Sequence, residues 1–326
     1  DKGVGASVVI RSMSGEVLEL PVAANTQIAH LKRLIAQSWQ VPVLAQKLLC
    51  NTEMLKDSDA VLPLCISTEN VITMVLSLDL VSHDLAKSAS HRKVQTLKEL
   101  RLLGRRGGDA VASLVNKCLE EKDAAVRVAA LQTMAVVAER GDSALLSSVK
   151  VCIHDVDWTV RAAAVRAFGT MVQKGDQSAI EIVSKCFDDS ESSVRISTIG
   201  ALEAMTQRGD MAAVRAVSQR LKDTDGDVRF AAAKALTTMA GKGDQVAIVA
   251  LEEGLEDSSV NVRLASLQSM ACVSQTGDEK VIAAISKLLL DSDWEVRSAA
   301  VDSLASVAKR DDAAALSAVG GRLEDE

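Results

Sequence analysis

The dipeptide Val-Arg returns at 126/127, 160/161, 194/195, 228/229, 262/263 and 296/297, each time 34 residues on, and this period constrains the fold more than any other feature. A second marker, Gly-Asp at 141/142, 175/176, 209/210, 243/244 and 277/278, keeps the same interval. Self-similarity at such a fixed period signals stacked units, none of which buries its own apolar face without a neighbour.

Residues 176–207 illustrate one unit. Ile180, Val183 and Phe187 stand at i, i+3 and i+7, which predicts a first helix with one apolar face. The run Asp189 to Ser193 breaks it, and Val194, Thr198, Leu202 and Met205 define the buried face of a second helix. An acid stands where each second helix should begin: Glu191, or Asp123, Asp157, Asp225 and Asp293, with Ser259 the exception. That position suits capping and the helix dipole. Arg208-Gly209 is expected to close the second helix with a basic last turn followed by glycine. Arg140, Lys174, Lys242 and Arg310 repeat the basic position. Counting such segments predicts an opening second-type helix near 87–103, six helix pairs between about 109 and 310, and a final first-type helix over 312–323.

The period is that of the tetratricopeptide repeat, but the array has neither the Tyr nor the Pro of that motif, and it lacks the Thr-Pro-Leu-His of ankyrin. The spacing Asp-x5-Arg, with Val before the Arg and small residues after it, resembles the HEAT repeat over residues 87–323, in the short form seen in phycobilin-lyase-like proteins. The resemblance implies an all-α solenoid of 34-residue helix pairs whose inner surface binds proteins. It leaves open a second function, that of a lyase or chaperone for a tetrapyrrole-bearing protein.

Residues 1–80 lack the period and hold all three prolines, Pro21, Pro42 and Pro63, so a boundary near Leu80 separates them from an array over 81–326. Val8 and Ile10, a Ser14-Gly15 turn, then Leu18, Leu20 and Val22 predict a β-hairpin. Thr26 is placed to cap a helix carrying Ile28, Leu31, Leu34 and Ile35, which Val41-Pro42 ends. Short strands follow at 47–50 and 71–78. This order, with Gly15, Lys32, Val41-Pro42 and Gln46-Lys47-Leu48, resembles ubiquitin from Ser7 to Leu78 and implies an α+β β-grasp domain. The resemblance places ubiquitin's apolar partner-binding patch on Met13, Leu49 and Val75, which predicts either a recognition surface or a sheet face buried against a neighbouring domain. Ser77-Leu78-Asp79-Leu80 replaces the Gly-Gly tail, so the domain reads as a built-in module rather than a transferable modifier.

Two sets of array residues are candidates for a structural or binding role. Asp155 with Arg161, Asp189 with Arg195, Asp223 with Arg229, Asp257 with Arg263 and Asp291 with Arg297 are expected to form a ladder that fixes stacking register within and between units. Two positions after the Val column lie Val128, Ala162, Ile196, Phe230, Leu264 and Ser298, about 180° from the core side of the helix. Apolar groups there predict an interface on the inner face, unless curvature buries them between neighbouring helices. Trp158 and Trp294 stand at the mouths of interhelical turns, either as rim anchors or as covers for the turn beneath.

Composition narrows the classes of function. A net charge of −7, no Tyr, three Phe and three Trp argue against nucleic acid as a partner. No apolar run approaches the roughly 20 residues of a membrane span. Cys118, Cys152 and Cys186 share one column, whose members should lie about 10 Å apart, too far for disulfides and consistent with small buried thiols. The four His fall in no metal-ligand or general-base pattern, and no phosphate loop or nucleophile motif is present, so no cofactor and no catalysis are expected. The chain reads as cytoplasmic, while Asp1 rather than Met at its start leaves room for a removed organelle-targeting leader. The leading expectation is an adaptor or scaffold with protein partners; a subunit of a larger assembly is an alternative.

Overall fold

The computed structural model describes residues 6–23, 25–61, 71–309, 317, 319 and 320. The chain falls into two compact units, residues 1–139 and 140–326.

The first unit opens with a five-stranded sheet and one helix: β1 (Ala6–Ser12), β2 (Val17–Val22), α1 (Ile28–Trp39), β3 (Gln46–Cys50), β4 (Glu53–Met54) and β5 (Ile72–Leu76). The strand order is β2-β1-β5-β3-β4, with β1 and β5 parallel and the other neighbours antiparallel. Alternation puts Val8, Ile10, Leu20, Val22, Leu48 and Ile72 in a core shared with Ile28, Leu31 and Ile35 of α1. Gly15, at φ +90°, allows the hairpin turn that a side chain would strain. Thr26 does not cap α1. Its hydroxyl accepts from the Ala23 amide instead, and Gln27 takes the cap position without a side-chain bond. The buried Lys32 pairs with Asp57 at 2.7 Å, and the Gln46 amide donates to the carbonyls of Lys32 and Val41, which ties α1 to β3.

After β5 the chain turns directly into α2 (Asp79–Lys87), a helix that neither the Val-Arg nor the Gly-Asp marker announces, although its buried Val81 and Leu85 stand 34 residues before Val115 and Leu119 and so continue the apolar columns of the short helices. Then come α3 (Ser90–Leu100), a 3₁₀ segment over Arg101–Gly107, α4 (Gly108–Lys117) and α5 (Ala124–Val137). The single opening helix expected over 87–103 is therefore a shorter α3 that tightens into 3₁₀ turns, with Gly104 at φ 52° breaking the helix within them.

The second unit consists of α6 (Ser143–Cys152), α7 (Trp158–Met171), α8 (Gln177–Ser184), α9 (Ser192–Met205), α10 (Met211–Ser218), α11 (Gly226–Met239), α12 (Gln245–Gly254), α13 (Val260–Val273), α14 (Glu279–Lys287) and α15 (Trp294–Val307). The longer helices pack side by side in one layer and the shorter ones cover its other face, as contacts of α9 with α11, α11 with α13 and α10 with α12 require. Val194, Val228, Val262 and Val296 lie fully within the seam between the layers. The first-type helix expected over 312–323 lies outside the described residues apart from 317, 319 and 320, which are helical; Arg310 also lies outside them.

Caps explain where the helices start. Asp142, Asp176, Asp210, Asp244 and Asp278 each accept one or two backbone amides at the head of a short helix. Asp123, Asp157, Asp225 and Asp293 do the same for the long helices. Glu191 and Ser259 occupy the same position without a side-chain bond. For Glu191 the capping role expected from sequence is thus absent, leaving only its charge near the helix dipole.

The closing turn also departs from expectation. Each long helix ends well before the glycine, α9 at Met205 rather than Arg208. Gly209, at φ +85°, turns its amide to the last helical carbonyl of the following unit, Met239, at 2.7 Å. Gly141, Gly175, Gly243 and Gly277 repeat this bond to Met171, Met205, Val273 and Val307. Arg208 and Lys242 likewise donate to Ala240 and Ser274 at the end of the next unit's helix, so they serve a neighbour's carbonyls rather than their own. Orphan carbonyls at a helix C-terminus need such partners.

The Arg and Asp columns form a second connection between units. Arg161 grips Asp189 with two bonds of 2.7 and 2.9 Å, and Arg195 grips Asp223 at 2.9 and 2.7 Å. Arg229 with Asp257 and Arg263 with Asp291 repeat the geometry. The acid of an arginine's own unit offers only its backbone carbonyl, as Asp189 does to Arg195 at 3.0 Å and Asp291 to Arg297 at 2.8 Å. A continuous hydrogen-bonded chain therefore runs from Arg161 to Arg297. In the first unit Lys93 and Glu121 stand the same 28 residues apart and pair at 2.6 Å.

These bridges hold the aspartates below the usual carboxylate range. For Asp189 and Asp291 the arginine hydrogen bonds are the main cause; for Asp223 and Asp257 burial pushes upward, and the arginine and backbone amides outweigh it. A depressed folded pKa gives stability that is complete above the unfolded value, about 3.9, and is lost as pH falls through the folded value. Urea midpoints of the chain should therefore be flat above about pH 5 and drop steeply below about pH 4. In Arg195→Met, where Asp223 loses its partner, the acid-dependent part should shrink. Urea titrations across this pH series check both points, and a midpoint independent of acid would contradict them.

Candidate functional site

Because the core columns of α9, α11 and α13 face the shorter helices, residues half a turn away emerge on the opposite face of the long-helix layer. Ile196, Phe230 and Leu264 stand there at successive repeats and, with Ile199, Ala231 and Ala265, line a groove of about 1000 Å³. Gly200, Lys234 and Gln268 form a second row one turn along the helices, and Glu203, Thr238 and Cys272 a third. Asp227 and Asn261 mark the other rim. The Thr238 hydroxyl bonds one oxygen of Glu203 at 2.5 Å. Among the described residues Lys234 has no ion-pair or hydrogen-bond partner through its ammonium group.

Exposure along the stripe is uneven. Phe230 is 37% exposed, and Ile196 and Leu264 are half-buried. Ala162, expected on the same surface, is buried at 2%. The reason is the close approach of α7 to α9: a Cβ on Gly169 would come within 2.7 to 2.9 Å of Ala201. Small residues there let the two helices close over the position. Ser298 is exposed, and Val128, on α5 of the first unit, is half-buried. Trp158 and Trp294 open α7 and α15, at 43% and 66% exposure, and neither lines the groove.

Sequence reasoning did not single out Lys234 or Cys272 as groove residues. Lys234 had a legible signal, since it follows Phe230 by four residues and so shares its face. Cys272 is exposed, whereas Cys50, Cys118, Cys152 and Cys186 are buried. Burial pushes the thiols of Cys118 and Cys186 up to about 11, which suits inert core groups and not nucleophiles.

In the sheet domain, Lys47 faces Val75 and Leu49 faces Thr73 across β3 and β5, so Leu49 and Val75 share the face turned away from the core. Both are half-buried. Met13 follows Ser12, which pairs with Met74, and is 75% exposed. Met13 is thus level with Val75 on the outward face, and Leu49 stands in the neighbouring row, opposite Thr73. Beyond β5, Ser77 donates to the Ala45 carbonyl and Asp79, the first residue of α2, pairs with Lys47 at 2.6 Å. Those contacts fix the chain where a free tail would have to extend.

Among the described residues no cluster of His, Cys, Asp or Glu has the geometry to hold a metal ion, and no helix is long and apolar enough to cross a membrane.

Comparison with known proteins agrees with both parts of the fold. The HEAT repeats family matches residues 111–203, 194–271 and 248–326, and the ubiquitin family matches residues 8–79. The X-ray structure of the Escherichia coli protein YibA is similar at 18% identity, covering 77% of this chain and 93% of its own, with a TM-score of 0.51. An engineered protein matches at 20% identity over 76% of this chain and 73% of its own, with a TM-score of 0.47. Among curated proteins none matches.

Because α2 begins at Asp79 where conjugation would need a free Gly-Gly end, the sheet domain should never form a thioester with a ubiquitin-type activating enzyme. An ATP-dependent thioester assay checks this, and any reducible adduct through the chain would contradict it.

Proposed function

We propose that this chain, which belongs to the HEAT-repeat family and carries a ubiquitin-family domain ahead of its repeats, is a non-enzymatic scaffold for other proteins. The repeat array, residues 81–326, holds one partner, and the ubiquitin-like module, residues 1–80, docks on another through Met13, Leu49 and Val75. The observation that carries this reading is the inner groove. Ile196, Phe230 and Leu264 repeat at neighbouring units where neither a cap nor the inter-layer core calls for a large apolar group. Burying such a side chain fully contributes about 1.5–3 kcal/mol, and leaving three partly in water forgoes much of that unless a partner covers them. The repeated aspartates and arginines of the units, by contrast, are already engaged in caps and bridges.

Replacing Ile196, Phe230 and Leu264 together by Ser should leave helix content and the urea midpoint close to those of the parent chain. Retention of a native partner on the immobilised chain should fall severalfold or more. A variant that unfolds would make these residues core, and unchanged retention would move the binding surface elsewhere.

A further inference from the structure

Resting on the reading of the groove across α9, α11 and α13 as a protein-binding surface, we infer that its occupant is an amphipathic α-helix. The partner helix carries apolar residues seven apart and, beside the central one, a carboxylate that pairs with Lys234.

Spacing is the first argument. Packed helices lie about 8–10 Å apart, so Ile196, Phe230 and Leu264 present an apolar group at intervals of that order along a line crossing the three helices. A helix laid on that line advances about 10.5 Å in seven residues, and seven residues return a side chain to nearly the same face. One apolar position per heptad therefore meets one repeat. A strand does not fit: its faces repeat about every 6.6 Å, so alternate repeats would meet side chains pointing outward. Volume agrees with this. Half of a helical cylinder ~11 Å across and ~20 Å long occupies roughly 950 Å³, beside a groove of about 1000 Å³.

Charge decides the chemistry of the flank. The row beside the apolar stripe is Gly200, Lys234 and Gln268. A Cβ at Gly200 would meet nothing within 4 Å, so the Lys234 ammonium has open space on that side. Glu203, the acid that lines the third row, has one oxygen occupied by Thr238, and Asp227 lies at the opposite rim. An unpartnered cation whose own row is otherwise uncharged, next to apolar surface, is complementary to a carboxylate on the edge of an apolar helix face. Recognition by an apolar face in a groove with a charged flank is a common mode for helical ligands.

The probe is a synthetic helix of about three heptads, with leucine at every seventh position, alanine elsewhere on that face, and glutamate flanking the central leucine. Binding to the full chain is read by fluorescence anisotropy. Its location is read by alkylation of Cys272 in a Cys65→Ser background, which removes any signal from Cys65. The probe should slow Cys272 alkylation severalfold. Lys234→Glu should weaken binding about tenfold, and a probe with lysine in place of the flanking glutamate should bind Lys234→Glu better than it binds the parent chain. Unprotected Cys272, indifference to Lys234→Glu, or equal binding of a strand-patterned peptide of the same composition would each overturn the inference. If none of these probes binds, yet the Ile196, Phe230 and Leu264 serine variant loses its native partner, the scaffold reading stands and the helical occupant falls. If that variant also keeps its partner, both fall.

Discussion

The bonds from Arg161, Arg195, Arg229 and Arg263 to the aspartate of the following unit set the register on which the rest of the second unit depends. A short helix pair presents an apolar seam that any neighbour of similar shape could cover, and apolar contact alone tolerates sliding. Two parallel N–H···O bonds between a planar guanidinium and a carboxylate do not. Each aspartate does three things at once. Asp223 accepts both bonds of Arg195, caps the Asp225 amide, and offers its carbonyl to Arg229. Displacing one unit would break bonds in two others. The glycine amides that reach the next unit's helix end add a second fixed point at the opposite end of the same helices.

With register fixed at both ends, what varies between units is the face of the long helices turned away from the short ones. Where Gly169 meets Ala201, α7 and α9 close together and Ala162 disappears from the surface. At α9, α11 and α13 larger groups occupy the equivalent positions and a groove remains. The same scaffold thus yields a closed stretch and an open one through side-chain size alone. The ubiquitin-like domain follows a related economy, since its chain passes straight from β5 into α2 through bonds to Ala45 and Lys47.

How much of this is legible in the sequence depends on how local the signal is. The period, the helix pairs and the aspartate caps follow from spacing, because their partners lie within a few residues. Partners across units are less legible. The spacing of Asp189 and Arg195 draws attention to a pair six residues apart, whereas the carboxylate that Arg195 takes belongs to Asp223, 28 residues on. Gly209 reads as a helix stop but serves the helix of the next unit, and Thr26 reads as a cap but bonds back to Ala23. Lys93 with Glu121 escapes a search for Val-Arg because both residues are substituted, although they keep the column spacing. The inner stripe is visible as a column, but its width depends on how closely helices approach, which the fate of Ala162 illustrates. The place of Lys234 beside Phe230 is legible from its i+4 spacing, but that it stands unpaired is seen only once its neighbours are placed.

A double-mutant cycle at Arg195 and Asp223 asks whether arginine-to-aspartate bridges between units hold the array in register. Stability is measured by urea unfolding for the parent, Arg195→Met, Asp223→Leu and the double variant. Breaking a buried pair typically costs about 3–5 kcal/mol, and only 11% and 6% of these two side chains is exposed. If the bridge holds the register, the coupling energy between the two positions is about 2 kcal/mol or more. A coupling energy near zero, with the two single losses simply adding, would contradict it.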